Sequence, residues 1–189
     1  MYKPLVDVQI VNYKTADYLP KCVESVYQDA ENSDVGITVH IADNASGDDL
    51  SAVQRQFPQT YISYLEHNIG YGAANNYLSC CGSVSPFILI LNPDTVITQP
   101  NTLKQLLKRL RFGEYQVVGP RLLTLDGKTQ EWDHGHLGGG TRGRIARALG
   151  RSMWREQSQP IEAAWVSGAC FLISRRVFTE IGGFDEKFF

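Results

Sequence analysis

The sequence is poor in the features that mark specialised chains. Its 189 residues hold only four cysteines, Cys22, Cys80, Cys81 and Cys170, with no CxxC pair. The adjacent pair at 80 and 81 is badly placed for an ordinary disulfide or a zinc site, so a disulfide-stapled or zinc-built fold is excluded in favour of reduced, partly buried thiols. No apolar run approaches the roughly 20 residues that span a bilayer, and Met1-Tyr2-Lys3-Pro4 has no signal-peptide core. The chain therefore reads as cytoplasmic. Charge of one sign is also lacking: the net charge is -2 and the isoelectric point about 6.1. Such a chain has no overall basic field, and nucleic acid is not expected as a partner. There is no internal repeat, no low-complexity tract, no GxGxxG fingerprint and no Walker A loop, which disfavours a nicotinamide enzyme or a phosphate-loop ATPase. What remains is 43% hydrophobic and 20% charged, enough to bury one substantial core.

Strands and helices alternate through the first half. Leu5–Asn12 reads as a strand, and the following helix carries Leu19, Cys22, Val23 and Val26 at helical spacing. Ile37–Ala42 is a strand ending at Asp43-Asn44; a helix with Leu50, Val53 and Phe57 follows, then a short strand at Tyr61–Leu65. A Gly-containing loop leads into a helix with Ala73, Ala74, Tyr77, Leu78 and Cys81, and Phe87–Leu91 is the fourth strand. This rhythm predicts an α/β fold with a mainly parallel central sheet and helices on both faces. Beyond it come a helix over 102–112, a strand near Gln116–Gly119, a hairpin turn at Asp126-Gly127, a long loop over 132–160, an apolar strand over Ala164–Ile173 interrupted by Gly168, and a helix from Arg175 or Arg176 to Ile181. One domain is expected over 1–189, divided into a nucleotide-binding half, 1–95, and an acceptor-side half, 96–189.

Three polar clusters close predicted parallel strands and so share one rim: Asn12-Tyr13, Asp43-Asn44-Ala45-Ser46 and Asn92-Pro93-Asp94. Pro93 cannot donate to a ladder and disfavours helix at Asn92, which puts Asp94 on a turn where open α/β sheets bind ligands. Asp94 suits a divalent cation, Mg2+ or Mn2+, held against a diphosphate; the plainer reading is an Asx turn. Asp43 can accept the N3–H of a pyrimidine, or can serve as a cap or turn residue ahead of the next helix. Tyr13 can cover a base face. The glycines of His67–Asn76 permit close backbone approach to a ligand, although glycine turns before helices are routine.

Taken in order, Val11-Asn12-Tyr13, Ala42-Asp43-Asn44-Ala45-Ser46, Asn68-Ile69-Gly70-Tyr71-Gly72-Ala73-Ala74-Asn75, Leu91-Asn92-Pro93-Asp94, Val166-Ser167-Gly168-Ala169 and Gly182-Gly183-Phe184-Asp185-Glu186 resemble the family 2 inverting glycosyltransferases of the GT-A (nucleotide-diphospho-sugar transferase) fold. The similarity is greatest to the bacterial rhamnosyltransferase-like branch, and it covers nearly the whole chain. The resemblance implies that Asn92-Pro93-Asp94 stands in for the Asp-x-Asp metal motif, with Asp94 the direct ligand. It also implies that Asp43 recognises uracil or thymine, and that Asn12, Tyr13, Asn44, Gly70, Asn75 and Asn92 line the nucleotide pocket. Trp165, Ser167 and Gly168 fall on the acceptor side. The donor implied is a dTDP- or UDP-sugar, rhamnose or a related deoxyhexose being the specific expectation, and the acceptor a glycan or polyprenyl-linked glycan of cell-surface polysaccharide synthesis.

The family pattern usually continues past Gly-Gly-Phe-Asp-Glu-x-Phe-Phe to a Glu-Asp pair that includes the catalytic base, whereas this chain stops at Phe189. A C-terminal truncation is expected, with the main base beyond Phe189. Asp185 and Glu186 are the substitutes within the chain, better suited to an acceptor-side supporting role, or to a solvated turn after Gly183. A catalytically silent nucleotide-sugar-binding module is the rival reading. A sugar nucleotidyltransferase is disfavoured, because Asn12-Tyr13-Lys14-Thr15 is not the glycine-rich, basic loop it would need.

Two further patterns stay open. Residues 142–155 combine five arginines with Ile145, Leu149, Met153 and Trp154. They read either as an amphipathic helix giving peripheral membrane contact at the inner face of the plasma membrane, or as a mobile solvated lid, since Gly143 and Gly150 weaken a helix. His134 and His136 can ligate metal from one side of a strand, though a glycine-rich loop is a poor place for such a site.

Overall fold

A computed structural model describes residues 5–81, 85–112, 115–130, 134–135 and 165–188. Eight strands are found among them: β1 Leu5–Asn12, β2 Gly36–Asp43, β3 Tyr61–Tyr64, β4 Phe87–Leu91, β5 Val117–Val118, β6 His134–Gly135, β7 Trp165–Val166 and β8 Cys170–Ser174. The helices are α1 Leu19–Ser33, α2 Ser51–Gln56, α3 Tyr71–Cys80, α4 Thr102–Phe112 and α5 Arg175–Glu180. The main sheet has the order β3-β2-β1-β4-β8-β5. The first four of these strands run parallel, and β8 is antiparallel to both β4 and β5. The sheet is therefore mainly parallel, as the alternation of elements predicts.

Chain order explains where a site can form. From β1 the chain builds outward to β2 and β3 on one side, then crosses to β4 on the other. The boundary between β1 and β4 is a topological switch point, and the crevice beyond its carboxyl ends is the ligand position of open α/β sheets. The register Ile10↔Leu91 brings Asn12 and Asn92 to that crevice.

β1 is central and covered on both faces. Val6, Val8 and Ile10 are fully buried on one face, while Asp7 and Gln9 are fully buried on the other and require internal partners. Arg175 supplies one: its guanidinium donates to the Asp7 carboxylate at 2.6 Å, to Ser85 O at 2.7 Å and to Ser79 O at 2.7 Å. His40 Nε2 lies 3.4 Å from the other Asp7 oxygen. Burial raises the pKa of Asp7 and lowers that of His40. Gln9, with its amide turned to suit its neighbours, donates to Asn75 O at 3.2 Å and accepts from Ser79 N at 3.1 Å. These polar contacts tie α5 and the end of α3 to the middle of the sheet.

The helices bury the stripes their spacing predicts. Leu19, Cys22, Val23, Val26 and Ala30 of α1 are buried, as are Leu103, Leu106, Leu107 and Leu110 of α4. Asp29 is buried within α1, yet it accepts from Thr102 N at 3.0 Å and Leu103 N at 2.7 Å. A carboxylate thus satisfies the orphan amides at the start of a neighbouring helix, a favourable use of the helix dipole.

One expectation is revised. Residues 164–173 do not form one interrupted strand: Gly168 and Ala169 make a turn, β7 pairs with β6 in a separate two-stranded sheet, and β8 joins the main sheet. The chain forms two compact units. One comprises 1–118 and 168–189, the other 119–167, because β8 returns from far along the chain to pair with β4. Within the second unit, Leu123 bridges Thr129 across the Asp126-Gly127 turn, the hairpin the sequence signals. The 142–155 segment and His136 lie outside the described residues, and His134 is described only as strand backbone.

Candidate functional site

The rim at the carboxyl ends of β1 and β2 carries a dense polar network. Asn12 is fully buried. Its amide nitrogen lies 2.7 Å from Asp43 Oδ1, 2.9 Å from Asp48 Oδ2 and 3.1 Å from Ser46 Oγ. The amide oxygen accepts from Thr15 Oγ1 at 2.7 Å. Ser46 donates its hydroxyl to Asp43 Oδ1 and its backbone N–H to Asp43 Oδ2. Asp48 accepts from Thr15 N at 3.1 Å and Ala16 N at 3.3 Å, and the hydrogen bond from Asn12, foremost among these, lowers its pKa. Asp43 is therefore fixed in position before any ligand arrives, and it is no cap for α2, whose first amide is served by Asp49. The loops bearing this network place two non-glycine residues in the left-handed region, Lys14 at φ 59° and Ala45 at φ 56°. Strain of that kind costs about 1–3 kcal/mol and persists where surrounding contacts over-determine the backbone.

Asn44 extends the network to the 68–70 loop. Its side chain accepts from Ile69 N at 3.0 Å and donates to Asn68 Oδ1 at 2.9 Å, and Asn68 Oδ1 also receives Gly70 N at 2.9 Å. The start of α3 is thereby anchored to the end of β2. Asn75 is fully buried and donates to Tyr71 O at 3.0 Å, while its Oδ1 has no hydrogen-bond partner among the described residues. Asn12, Asn44 and Asn75 are thus buried, and their side chains bond to neighbouring loops and helix backbone. Tyr13 is different: its ring is 44% exposed, with the Lys14 ammonium 5.4 Å from its centre.

The third rim position is the turn after β4. β4 stops at Leu91, as Pro93 requires, and Asn92 N donates to Ala169 O at 2.8 Å. Cys22 Sγ donates to Asn92 O at 3.6 Å. Asp94 is exposed, and its charge contributes to raising the pKa of both Cys22 and Tyr71, whose main cause is burial. Burial likewise pushes the Cys170 thiol up to about 12. A buried, protonated thiol is a poor metal ligand, whereas an exposed carboxylate such as Asp94 has the hard oxygen donors that suit Mg2+ or Mn2+. Among the described residues no three His, Cys, Asp or Glu side chains converge. The donor set suits a hard cation that takes one carboxylate from the protein and its remaining ligands from phosphate and water.

On the far side of α3, Gly168 is exposed, with its carbonyl accepting from Tyr71 Oη at 2.9 Å. Trp165 and Ser167 belong to the second compact unit, where Trp165 is 39% exposed and pairs with Gly135. Asp185 and Glu186 are exposed; Asp185 Oδ1 accepts from Lys187 N at 3.1 Å and Glu186 Oε1 from Asn76 Nδ2 at 2.8 Å. Asp48 and Thr15 join the rim network, and Tyr71 and Asn76 bond to Gly168 and to the 184–186 segment, contacts that the sequence motifs do not signal. Their long-range partners lie from 32 to 110 positions away, beyond the reach of any local pattern.

Comparisons with known proteins bear on the fold and the family. Over 98% of its length the chain is 28% identical to the N-acetylglucosaminyl-diphospho-decaprenol L-rhamnosyltransferase of Mycobacterium tuberculosis, covering 66% of that protein. It is 27% identical to the low-salt glycan biosynthesis hexosyltransferase Agl10 of Haloferax volcanii, over 97% of this chain and 57% of the relative. The chain thus spans from somewhat over half to about two-thirds of the length of these relatives. Among solved structures, the mannosyltransferase PcManGT from Pyrobaculum calidifontis, in complex with GDP-Man and Mn2+, superposes with a TM-score of 0.67 at 19% identity, over 98% of this chain and 49% of the other. S. aureus TarS in complex with UDP superposes with a TM-score of 0.63 at 16% identity, over 98% of this chain and 51% of the other. The fold is GT-A. Residues 7–182 match Glycosyl transferase family 2, and the chain belongs to that family.

Proposed function

We propose that this chain binds a nucleotide-diphosphate sugar at the β1/β4 crevice and transfers the sugar, with inversion, to an acceptor hydroxyl. The observation that carries the reading is the pairing of two unlike carboxylates on one rim: Asp43, buried and fully oriented, and Asp94, exposed and without a hydrogen bond among the described residues. Asp43 retains acceptor capacity for the N3–H of uracil or thymine, and Tyr13 offers a face to the base. Asn12, Asn44 and Asn75 hold these groups and the 68–70 loop in place. Asp94 would hold Mg2+ or Mn2+, which when bound neutralises charge on the departing diphosphate.

The chemistry is a single displacement. The acceptor oxygen forms the new bond to the anomeric carbon, the bond to the diphosphate oxygen breaks, and the acceptor proton passes to a carboxylate. Asp185 and Glu186 are the carboxylates on the acceptor side of α3. Both are already engaged in hydrogen bonds through one oxygen, which suits them to orienting an acceptor. Gly168, Ser167 and the exposed indole of Trp165 are the other acceptor-side candidates. The specific donor is a dTDP- or UDP-linked deoxyhexose such as rhamnose, and the acceptor a glycan or polyprenyl-linked glycan. The mycobacterial relative, named for L-rhamnosyl transfer to a decaprenol-linked acceptor, supports both. Peripheral membrane contact through 142–155 rests on the basic and apolar pattern of that segment. No described helix is long and apolar enough to cross a membrane.

Calorimetry with UDP and dTDP, each with and without Mn2+, tests the reading. Binding strengthened at least about tenfold by Mn2+ is expected, a factor worth about 1.4 kcal/mol. A protein that binds neither nucleotide under either condition contradicts it.

A further inference from the structure

The Gly182–Lys187 segment is held to α3 by one side chain. Asn76 Oδ1 accepts from Phe184 N at 2.9 Å, while its Nδ2 donates to Phe184 O at 2.9 Å and to Glu186 Oε1 at 2.8 Å. One amide thus brackets both backbone groups of Phe184, as a neighbouring strand would. The fit is close enough to dictate residue types on both sides. Gly183 sits at φ 75°, and a Cβ there would fall 2.4 Å from Asn76 Oδ1. One turn earlier on α3, a Cβ on Gly72 would fall 3.0 Å from Phe184 Cβ. The Phe184 ring meets Tyr71, Phe171 and Phe178 edge-on, with centroids 5.8 to 6.3 Å away. The start of α3 is in turn bonded to the end of β2 through Asn44, Asn68 and Gly70.

We propose that Asn76 is a positioning residue that couples the nucleotide loop to the acceptor-side segment through α3, so that filling the donor site steadies residues 182–187. The inference rests on the donor-site reading above. Nothing in the local sequence signals it, because Asn76 and Phe184 are 108 positions apart.

Hydrogen exchange at the 183 and 184 amides, measured with and without UDP or dTDP plus Mn2+, tests the coupling in the wild type, Asn76→Ala, Asn76→Asp and the double variant Asn76→Asp/Glu186→Gln. In the wild type, nucleotide should slow exchange by about threefold or more, a modest coupling between sites. Asn76→Ala should exchange about tenfold faster, as loss of a partly buried hydrogen bond implies, and should not respond to nucleotide, while its nucleotide Kd stays within about twofold of wild type. Asn76→Asp faces Glu186 with like charge and should lose the response, and Glu186→Gln should restore part of it by supplying a donor. A purely structural role would weaken nucleotide binding together with the segment, and that result overturns the proposal. So does a wild-type segment that binds nucleotide yet does not respond. A wild type that binds neither nucleotide overturns the donor-site reading and this inference with it.

Discussion

Asp43 and Asp94 stand at the ends of two strands on the same rim, in opposite states. Asp43 is 4% exposed and receives hydrogen bonds from Asn12 and Ser46. Asp94 is exposed and receives none among the described residues. A carboxylate whose oxygens are held by buried donors cannot reorganise, so it suits recognition of a fixed pattern such as a base edge. A carboxylate with free lone pairs in water suits a hard cation that brings its own phosphate and water ligands. On the proposed reading, burying one acid and exposing the other separates recognition from charge neutralisation.

The amino end of the sheet provides a control for that distinction. Asp7 is also a buried carboxylate, but its partners are the Arg175 guanidinium and His40, and it faces no crevice. Arg175→Met leaves Asp7 without its cation and should destabilise the fold by about 3–5 kcal/mol, read from urea unfolding. Nucleotide affinity of the protein that remains folded should be unchanged. A change in affinity would break the separation between the stabilising end of the sheet and the binding end.

A smaller effect is expected at Asp43. Asp43→Ala removes the acceptor of the Ser46 backbone N–H and hydroxyl as well as one Asn12 contact, a penalty of about 1–3 kcal/mol, and should also erase any preference between pyrimidine and purine nucleotides. Asp43→Asn keeps the shape and should lose base preference with less loss of stability. Competition between UDP and GDP checks both.

The smallest effect concerns pH. The pKa of Asp48 lies below the ordinary 3.8 because the folded state donates hydrogen bonds to its charged form. Its contribution to stability is therefore fully present above that ordinary value, and is lost as pH falls through the lowered one. Asp48→Asn should flatten this part of the acid limb of the stability curve and loosen the 12–16 loop, seen as faster amide exchange at Thr15 and Ala16. An unaltered acid limb would mean that the loop holds without this carboxylate.

Much of this was legible in the sequence, for identifiable reasons. β4 is a run of five apolar residues closed by Asn-Pro-Asp, so both the strand and the position of Asp94 follow from local chemistry. α1 and α4 show their buried stripes directly. The 164–173 segment was misread because a single apolar stretch serves two sheets, and only pairing partners decide that. The Asn12–Asp43–Asp48 network, the Arg175–Asp7 pair and the Asn76 bracket join residues from 31 to 168 positions apart, so each is a product of topology. Sequence motifs located the rim; folding determined which of its polar residues face inward.

The most direct test is to titrate UDP and dTDP into the wild type, Asp94→Ala and Asp43→Ala, with and without Mn2+. Asp94→Ala should lose the metal-dependent gain in affinity while keeping base preference, and Asp43→Ala should keep the metal-dependent gain while losing base preference. Asp94→Ala retaining a full Mn2+ response, or both variants losing the same property, would contradict the division of labour on which the account rests.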